Sequence, residues 1–254
     1  MKRKSVNRRT SGQALIITSL VIAMLLLSTV YYVFEIQRNV SKSETTADST
    51  LKTVKPSTVN TIVSALANFT NGGEREVLAS DLSRLSSTTE NHFYGGQCHL
   101  QFTPLNLSPY QDGIWISWEN NGLGISSADA NFVFNFSGPT ATYYSEFETN
   151  VTTMLTLEGT YSSNGAEKNV NVTCTVYNEN EPALANDIAM LYQNETDGPW
   201  IKADSTNSLN MIDYGNGTYL VSFKISMQSF LQVSANVHDL RDIFVLTNTT
   251  CIGV

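Results

Sequence analysis

Residues 14–34 read ALIITSLVIAMLLLSTVYYVF, and everything beyond them is polar and rich in β-forming residues. Twelve of these 21 residues are Leu, Ile, Val or Phe, and no charge occurs between Thr10 and Phe34. At ~1.5 Å per helical residue the stretch spans roughly 31 Å, the thickness of a bilayer's hydrocarbon core. At about −0.4 kcal/mol for each large apolar residue, insertion gains roughly 5 kcal/mol, partly offset by Thr18, Ser19, Ser28 and Thr29. Lys2, Arg3, Lys4, Arg8 and Arg9 precede it, whereas only Arg38 and Lys42 lie close beyond it. That asymmetry predicts a cytoplasmic N-terminus, with residues 35–254 outside. Tyr31 and Tyr32 suit the membrane–water interface. A cleaved secretory signal needs small residues after its apolar core, where this chain has Tyr31-Tyr32-Val33-Phe34. A buried core helix this long would show a polar face.

The flanks add a second reading. Arg8-Arg9 followed by Gly12, Gln13, Ala14 and Leu15 resembles the class III signal of type IV pilins and archaeal pilin-like proteins. It is also similar to the Gly-Gln-Ala-Leu start of tight-adherence pseudopilins. The resemblance covers about 30 residues, and it implies cleavage between Gly12 and Gln13 by a membrane peptidase. It also implies that the helix serves as both anchor and assembly core. Ile17 stands where those families carry a Glu at the fifth mature position.

The whole chain carries a net charge of −8, and with five positive charges in the leader the remainder carries −13. An acidic body lacks the basic stripe of a nucleic-acid binder. Nine Asn-x-Ser/Thr sequons occur. Asn39 is too near the bilayer for use. Asn68, Asn106, Asn135, Asn150, Asn171, Asn194, Asn216 and Asn248 are the expected glycosylation sites. Cys98, Cys174 and Cys251 admit three single bridges. No Cys-x-x-Cys is present and the histidines do not cluster with the cysteines, so no metal or other cofactor is expected. Gly-x-Ser-x-Gly, His-Glu-x-x-His and P-loop motifs are also missing, and the expectation is a non-enzyme. Glu146 and Glu148 share one strand face, where paired carboxylates are ordinarily solvated.

Along the chain, residues 1–12 are expected to form a basic cytoplasmic leader and 13–35 the transmembrane helix. Residues 36–91 read as a polar stalk and helical hairpin. Lys55-Pro56 is expected to break any helix arriving from the membrane. Val59, Ile62, Val63, Leu66 and Phe69 then recur at helical spacing, with Gly72-Gly73 as the stop. A second helix is expected from Glu74 to about Thr88, with Leu78, Leu82 and Leu85 on one face. The period changes to two in a β-rich region, 92–149: Cys98, Leu100 and Phe102, then Ile114, Ile116 and Trp118, then Phe132, Phe134 and Phe136. Asn120-Asn121-Gly122-Leu123-Gly124 reads as a turn whose glycines supply positive φ.

Residues 150–254 carry short strands at the spacing of a β-sandwich. Val170, Val172, Cys174 and Val176 share an inward face, with Asn171 pointing outward. Asp213-Tyr214-Gly215-Asn216-Gly217-Thr218-Tyr219 resembles the turn and tyrosine corner that enter strand F of immunoglobulin-like domains. That likeness implies an Ig-like sandwich, although Val221 occupies the position of the second bridge cysteine. With Cys174 held in the core, Cys98–Cys251 is the favoured bridge. The fold class is therefore mainly β with an N-terminal transmembrane helix. The expected function is a pilin-like, membrane-anchored surface protein acting through envelope or pilin-like partner subunits. An anchored adhesion or ligand-binding module without filament assembly is the alternative.

Overall fold

The computed structural model describes residues 9–92, 97–138, 142–165, 167–193, 198–226 and 231–254. Its first element, α1 (Arg9–Thr70), is one helix of 62 residues. The break expected at Lys55-Pro56 does not occur. Proline in a helix interior costs about 3 kcal/mol, because its nitrogen has no proton and its ring crowds the carbonyl one turn back. Here Pro56 and Lys52 both face solvent, so the orphaned carbonyl is not trapped in the core. Leu51 and Val54 before the proline, and Ile62, Ala65 and Leu66 after it, are all buried on the opposite face. At about 1.5–3 kcal/mol for each large side chain, that burial outweighs the proline penalty.

The second helix, α2 (Val77–His92), begins three residues later than expected, and the Glu74 carbonyl accepts from the Val77 N–H at its start (3.2 Å). Its Leu78 and Leu82 are buried and Leu85 half-buried. The strands follow as β1 (Gln97–Pro104), β2 (Ile114–Asn120), β3 (Leu123–Ser137), β4 (Thr142–Asn164) and β5 (Glu167–Asn178). After them come β6 (Glu181–Pro182), β7 (Ala185–Gln193), β8 (Trp200–Lys202), β9 (Asn210–Asp213), β10 (Thr218–Ser226), β11 (Gln232–Asp239), β12 (Phe244–Thr250) and β13 (Ile252–Gly253). One sheet runs β1-β3-β4-β5-β10-β9, with β2 also on β3, and the other runs β12-β11-β7-β8.

The β2–β3 turn is tighter than the five-residue reading. Asn121 (φ 45°) and Gly122 (φ 91°) form its two central residues, the Asn-Gly pair that a type I′ hairpin demands. Gly124 is already in the strand, and its lack of a side chain serves packing: a Cβ there would lie 2.3 Å from the Leu246 carbonyl oxygen.

Two cores result. In the first, α1 and α2 lie on Cys98, Leu100, Phe132, Phe134, Phe136 and Val151. In the second, Leu155, Leu157, Val172, Cys174, Val221 and Phe223 of the large sheet face Met190, Val233, Ala235, Val237 and Val245 of the small one. The boundary expected at Asn150 falls inside β4, which supplies Val151 to the first core and Leu155 to the second. The immunoglobulin-like connection does not describe this sandwich. That fold sets the strands bearing Cys174 and Val221 in opposite sheets. Here β5 and β10 are direct neighbours, with Tyr219 opposite Cys174 and Val221 opposite Val172.

Where the two cores meet, the β11–β12 hairpin is clamped to β4. The fully buried Asp239 carboxylate accepts from the Arg241 and Ile243 backbone N–H groups (2.8 and 2.9 Å) and from Thr153 Oγ1 (3.0 Å). Arg241 Nε donates to the same carboxylate at 2.8 Å, and its guanidinium reaches Glu179 at 2.8 Å.

Candidate functional site

Two features stand out from the packed body, a bare apolar rod and a polar cluster on the outer sheet face. The rod is Leu15–Arg38 of α1, with a mean hydropathy of 2.2 and none of it buried. Leu15, Ile16, Leu26 and Leu27 are each more than 60% exposed. Its serine and threonine hydroxyls are satisfied within the helix. Thr18, Ser19, Ser28 and Thr29 donate to the carbonyls of Leu15, Ile16, Leu25 and Leu26 at 2.8–3.0 Å. A hydroxyl bonded this way escapes much of the desolvation cost it would incur in hydrocarbon. By length and composition this helix can cross a membrane. Gly12 and Gln13 lie near its start as helical backbone.

The sequon asparagines spread over the body. Asn68 lies on α1, Asn106 in the β1–β2 loop, Asn150 on β4, Asn171 on β5 and Asn216 in the β9–β10 turn, all exposed. Asn135 and Asn248 are half-buried, and Asn194 lies outside the described residues. Asn150 differs in that its amide nitrogen is occupied. It donates to Tyr110 Oη and to Asp129 Oδ2, both at 2.9 Å.

The Cys98–Cys251 bridge is not formed. All three cysteines are free and buried. Cys98 sits in the helix-covered core and Cys251 in the sandwich core, where its sulfur occupies the space above Gly159. Burial pushes the thiols up, to about 11 for Cys98 and about 12 for Cys174 and Cys251. Cys174 lies on the inward face of β5 with Val170, Val172 and Val176, as the alternation requires.

The polar cluster was not legible as a unit in the sequence. Asp129 interrupts the buried pair Ala128 and Ala130 and is itself only 3% exposed. Antiparallel register sets it opposite Asn150, and Asn131 opposite Glu148, on one face of β3 and β4. Above them the β1–β2 loop brings Tyr110, whose hydroxyl meets Ser127 Oγ at 2.8 Å, and Ser127 in turn meets Thr152 Oγ1 at 2.6 Å. The Tyr110 ring stands edge-on to Trp115, with centroids 5.8 Å apart. Next to the cluster, Lys55, Pro56, Val59 and Asn60 of α1 and residues 147–150 of β4 line an open recess of about 590 Å³. Among the described residues, no three His, Cys, Asp or Glu side chains gather as a metal-holding group. Period-two alternation puts Asp129 on the polar face with Ser127 and Asn131, so its burial left no signal in the sequence. No protein-family model matches this chain, and no curated protein matches it either.

Proposed function

We propose that the chain is a pilin-like, single-pass surface protein. Its N-terminus lies in the cytoplasm and its β-rich body outside, acting through contacts with envelope or pilin-like subunits. The supporting observation is the continuity of α1. The apolar rod Leu15–Arg38 and the buried face Leu51–Leu66 belong to one uninterrupted helix. A passive tether needs no such coupling, because a flexible stalk holds a body at a membrane equally well. A continuous helix fixes the body relative to the rod, which is what a subunit packing through its rod requires. The Gly12-Gln13 sequence in front of the rod supports the same reading.

The mature N-terminus tests it. Intact-mass and N-terminal peptide analysis of the membrane-extracted protein should find Gln13 first, and envelope fractions should contain filaments bearing the chain. An N-terminus at Met1 or Lys2 and a strictly monomeric extract would instead leave an anchored binding module. Protease added to intact cells should digest the β-rich body, and protection of the whole chain would overturn the topology.

A further inference from the structure

The outer face of β3 and β4 contains an electrostatic mismatch. The carboxylate of Asp129 is almost fully buried, with one oxygen held by the Asn150 amide at 2.9 Å and the other, Oδ1, lacking any hydrogen-bond partner. Glu148 is one register step along on the facing strand and points to the same face, with its carboxyl within hydrogen-bonding reach of Asp129. Two carboxylates are acceptors only, so a contact between them needs something positive in the middle. No side-chain cation supplies it: among the described ion pairs none reaches Asp129 or Glu148. Lys55 borders the same recess as Glu148, but its ammonium lies over the Phe147 ring, 5.0 Å from the centroid.

We propose that Asp129 Oδ1 and the Glu148 carboxylate form a binding site for a hard divalent cation of the calcium type. Calcium takes six to eight oxygen ligands, a mixture of carboxylates, amide carbonyls and waters. The two acids supply the charge. Asn131, directly opposite Glu148, is exposed on the same face and supplies a neutral oxygen donor, and the solvent side of Glu148 leaves room for waters. A shared proton would satisfy two oxygens only, and it would leave the exposed Asn131 amide oxygen on the same face unused. With no third acid gathered there among the described residues, the affinity belongs to the weak class, about 10⁻⁴–10⁻³ M. Bound cation would pin β3 to β4 at the place where, among the described residues, β4 pairs with no strand on its other side.

The full chain, purified in detergent and stripped with chelator, tests the site with calcium and terbium ions. Calcium at about ten times its Kd should raise the folded-to-unfolded ratio about 11-fold, read as a melting-temperature rise of about 3–6 °C. Terbium should give luminescence sensitised by Tyr110 and Trp115 that calcium displaces. Glu148→Gln, a change on an exposed side chain, should weaken both responses about tenfold or more. Asp129→Asn should do the same where it folds. Wild-type protein that ignores calcium up to about 10 mM would overturn the proposal, as would equal responses from wild type and Glu148→Gln. A calcium-independent loss of wild-type stability with rising pH, missing from Glu148→Gln, would assign a shared proton to the pair and also overturn it.

Discussion

The two cores of this protein share a strand and are built by different rules. In the helix-covered core, α1 and α2 lay wide apolar stripes on one face of β1, β3 and β4. Space there is filled by large side chains, Phe132, Phe134, Leu66 and Leu82 among them. In the sandwich core, two sheets meet face to face through many Val, Ala and Cys side chains between a few large ones such as Phe223, Leu155 and Met190, and close approach depends on missing side chains at Gly124 and Gly159. The helix-covered core is therefore expected to fail by cavity and the sandwich core by crowding. Since β4 runs through both, either failure should be felt across the body. We expect one unfolding transition in calorimetry of the solubilised chain, and two resolved transitions would show that β4 does not couple the cores.

The largest effect should come from the helix-covered side. Leu66 is fully buried between α1 and the sheet, so Leu66→Ala should destabilise the body by about 2–5 kcal/mol. The same truncation on the same helix at Leu26, 61% exposed, should change body unfolding by less than about 0.5 kcal/mol. Denaturant titration of the two variants side by side measures the contrast. A comparable loss from Leu26→Ala would mean that the rod packs against the body.

On the sandwich side, Gly124→Ala should cost about 1–3 kcal/mol, because the new Cβ meets backbone, the Leu246 carbonyl, which cannot rotate away. Gly159→Ala meets a side chain, Cys251 Sγ at 2.5 Å, and should cost less. Adding Cys251→Ala to Gly159→Ala removes that obstacle, so the double variant should recover part of the loss, a non-additivity visible in a double-mutant cycle. Simple addition of the two losses would show that Gly159 and Cys251 do not compete for one space.

Legibility in the sequence cuts across the two cores. Strand faces were readable because alternation is local: Phe132, Phe134 and Phe136, Val170 to Val176, and Tyr219 to Ile225 all bury the residues their period indicates. The apolar rod was readable from length alone. What failed depended on partners far along the chain. Pro56 is a breaker by local rule, and only the burial of Leu51 and Ile62 on either side carries the helix through it. The Tyr219 turn resembles a strand-F corner, but neighbouring β5 and β10 in one sheet is a matter of topology that a seven-residue motif does not encode. The Asp129 cluster needed register, since Asn150 and Glu148 come from the next strand and Tyr110 from the loop before. The separation of Cys98 from Cys251 needed knowledge of two cores.

Pro56 gives a smaller test of the balance in α1. Because its side chain faces solvent and the buried stripe lies opposite, Pro56→Ala should leave packing intact and restore the hydrogen bond to the Lys52 carbonyl. The expected result is a gain of about 1–3 kcal/mol in body stability, below the full proline penalty because the helix already accommodates the ring. A loss of stability would mean that a bend at Pro56 is needed to aim the rod and the buried stripe differently.

The smallest effect at neutral pH concerns the thiols. With Cys174 and Cys251 pushed up to about 12 and Cys98 to about 11, thiolate is scarce near neutrality in the folded chain. A thiol reagent at pH 8 should label native protein only as fast as it unfolds, and non-reducing peptide maps should contain no disulfide-linked peptide. The linkage has a definite sign. A cysteine whose folded pKa lies above its unfolded value stabilises nothing below that value and lowers stability as pH rises past it. Stability should therefore hold up to about pH 9 and decline from there towards about pH 12, with Cys174→Ala and Cys251→Ala each flattening the alkaline limb. Rapid labelling of Cys251 alone in the native chain would show that residues 251–254 lift off the Gly159 pocket without global unfolding. That outcome would make the C-terminal end the least secure part of the sandwich core.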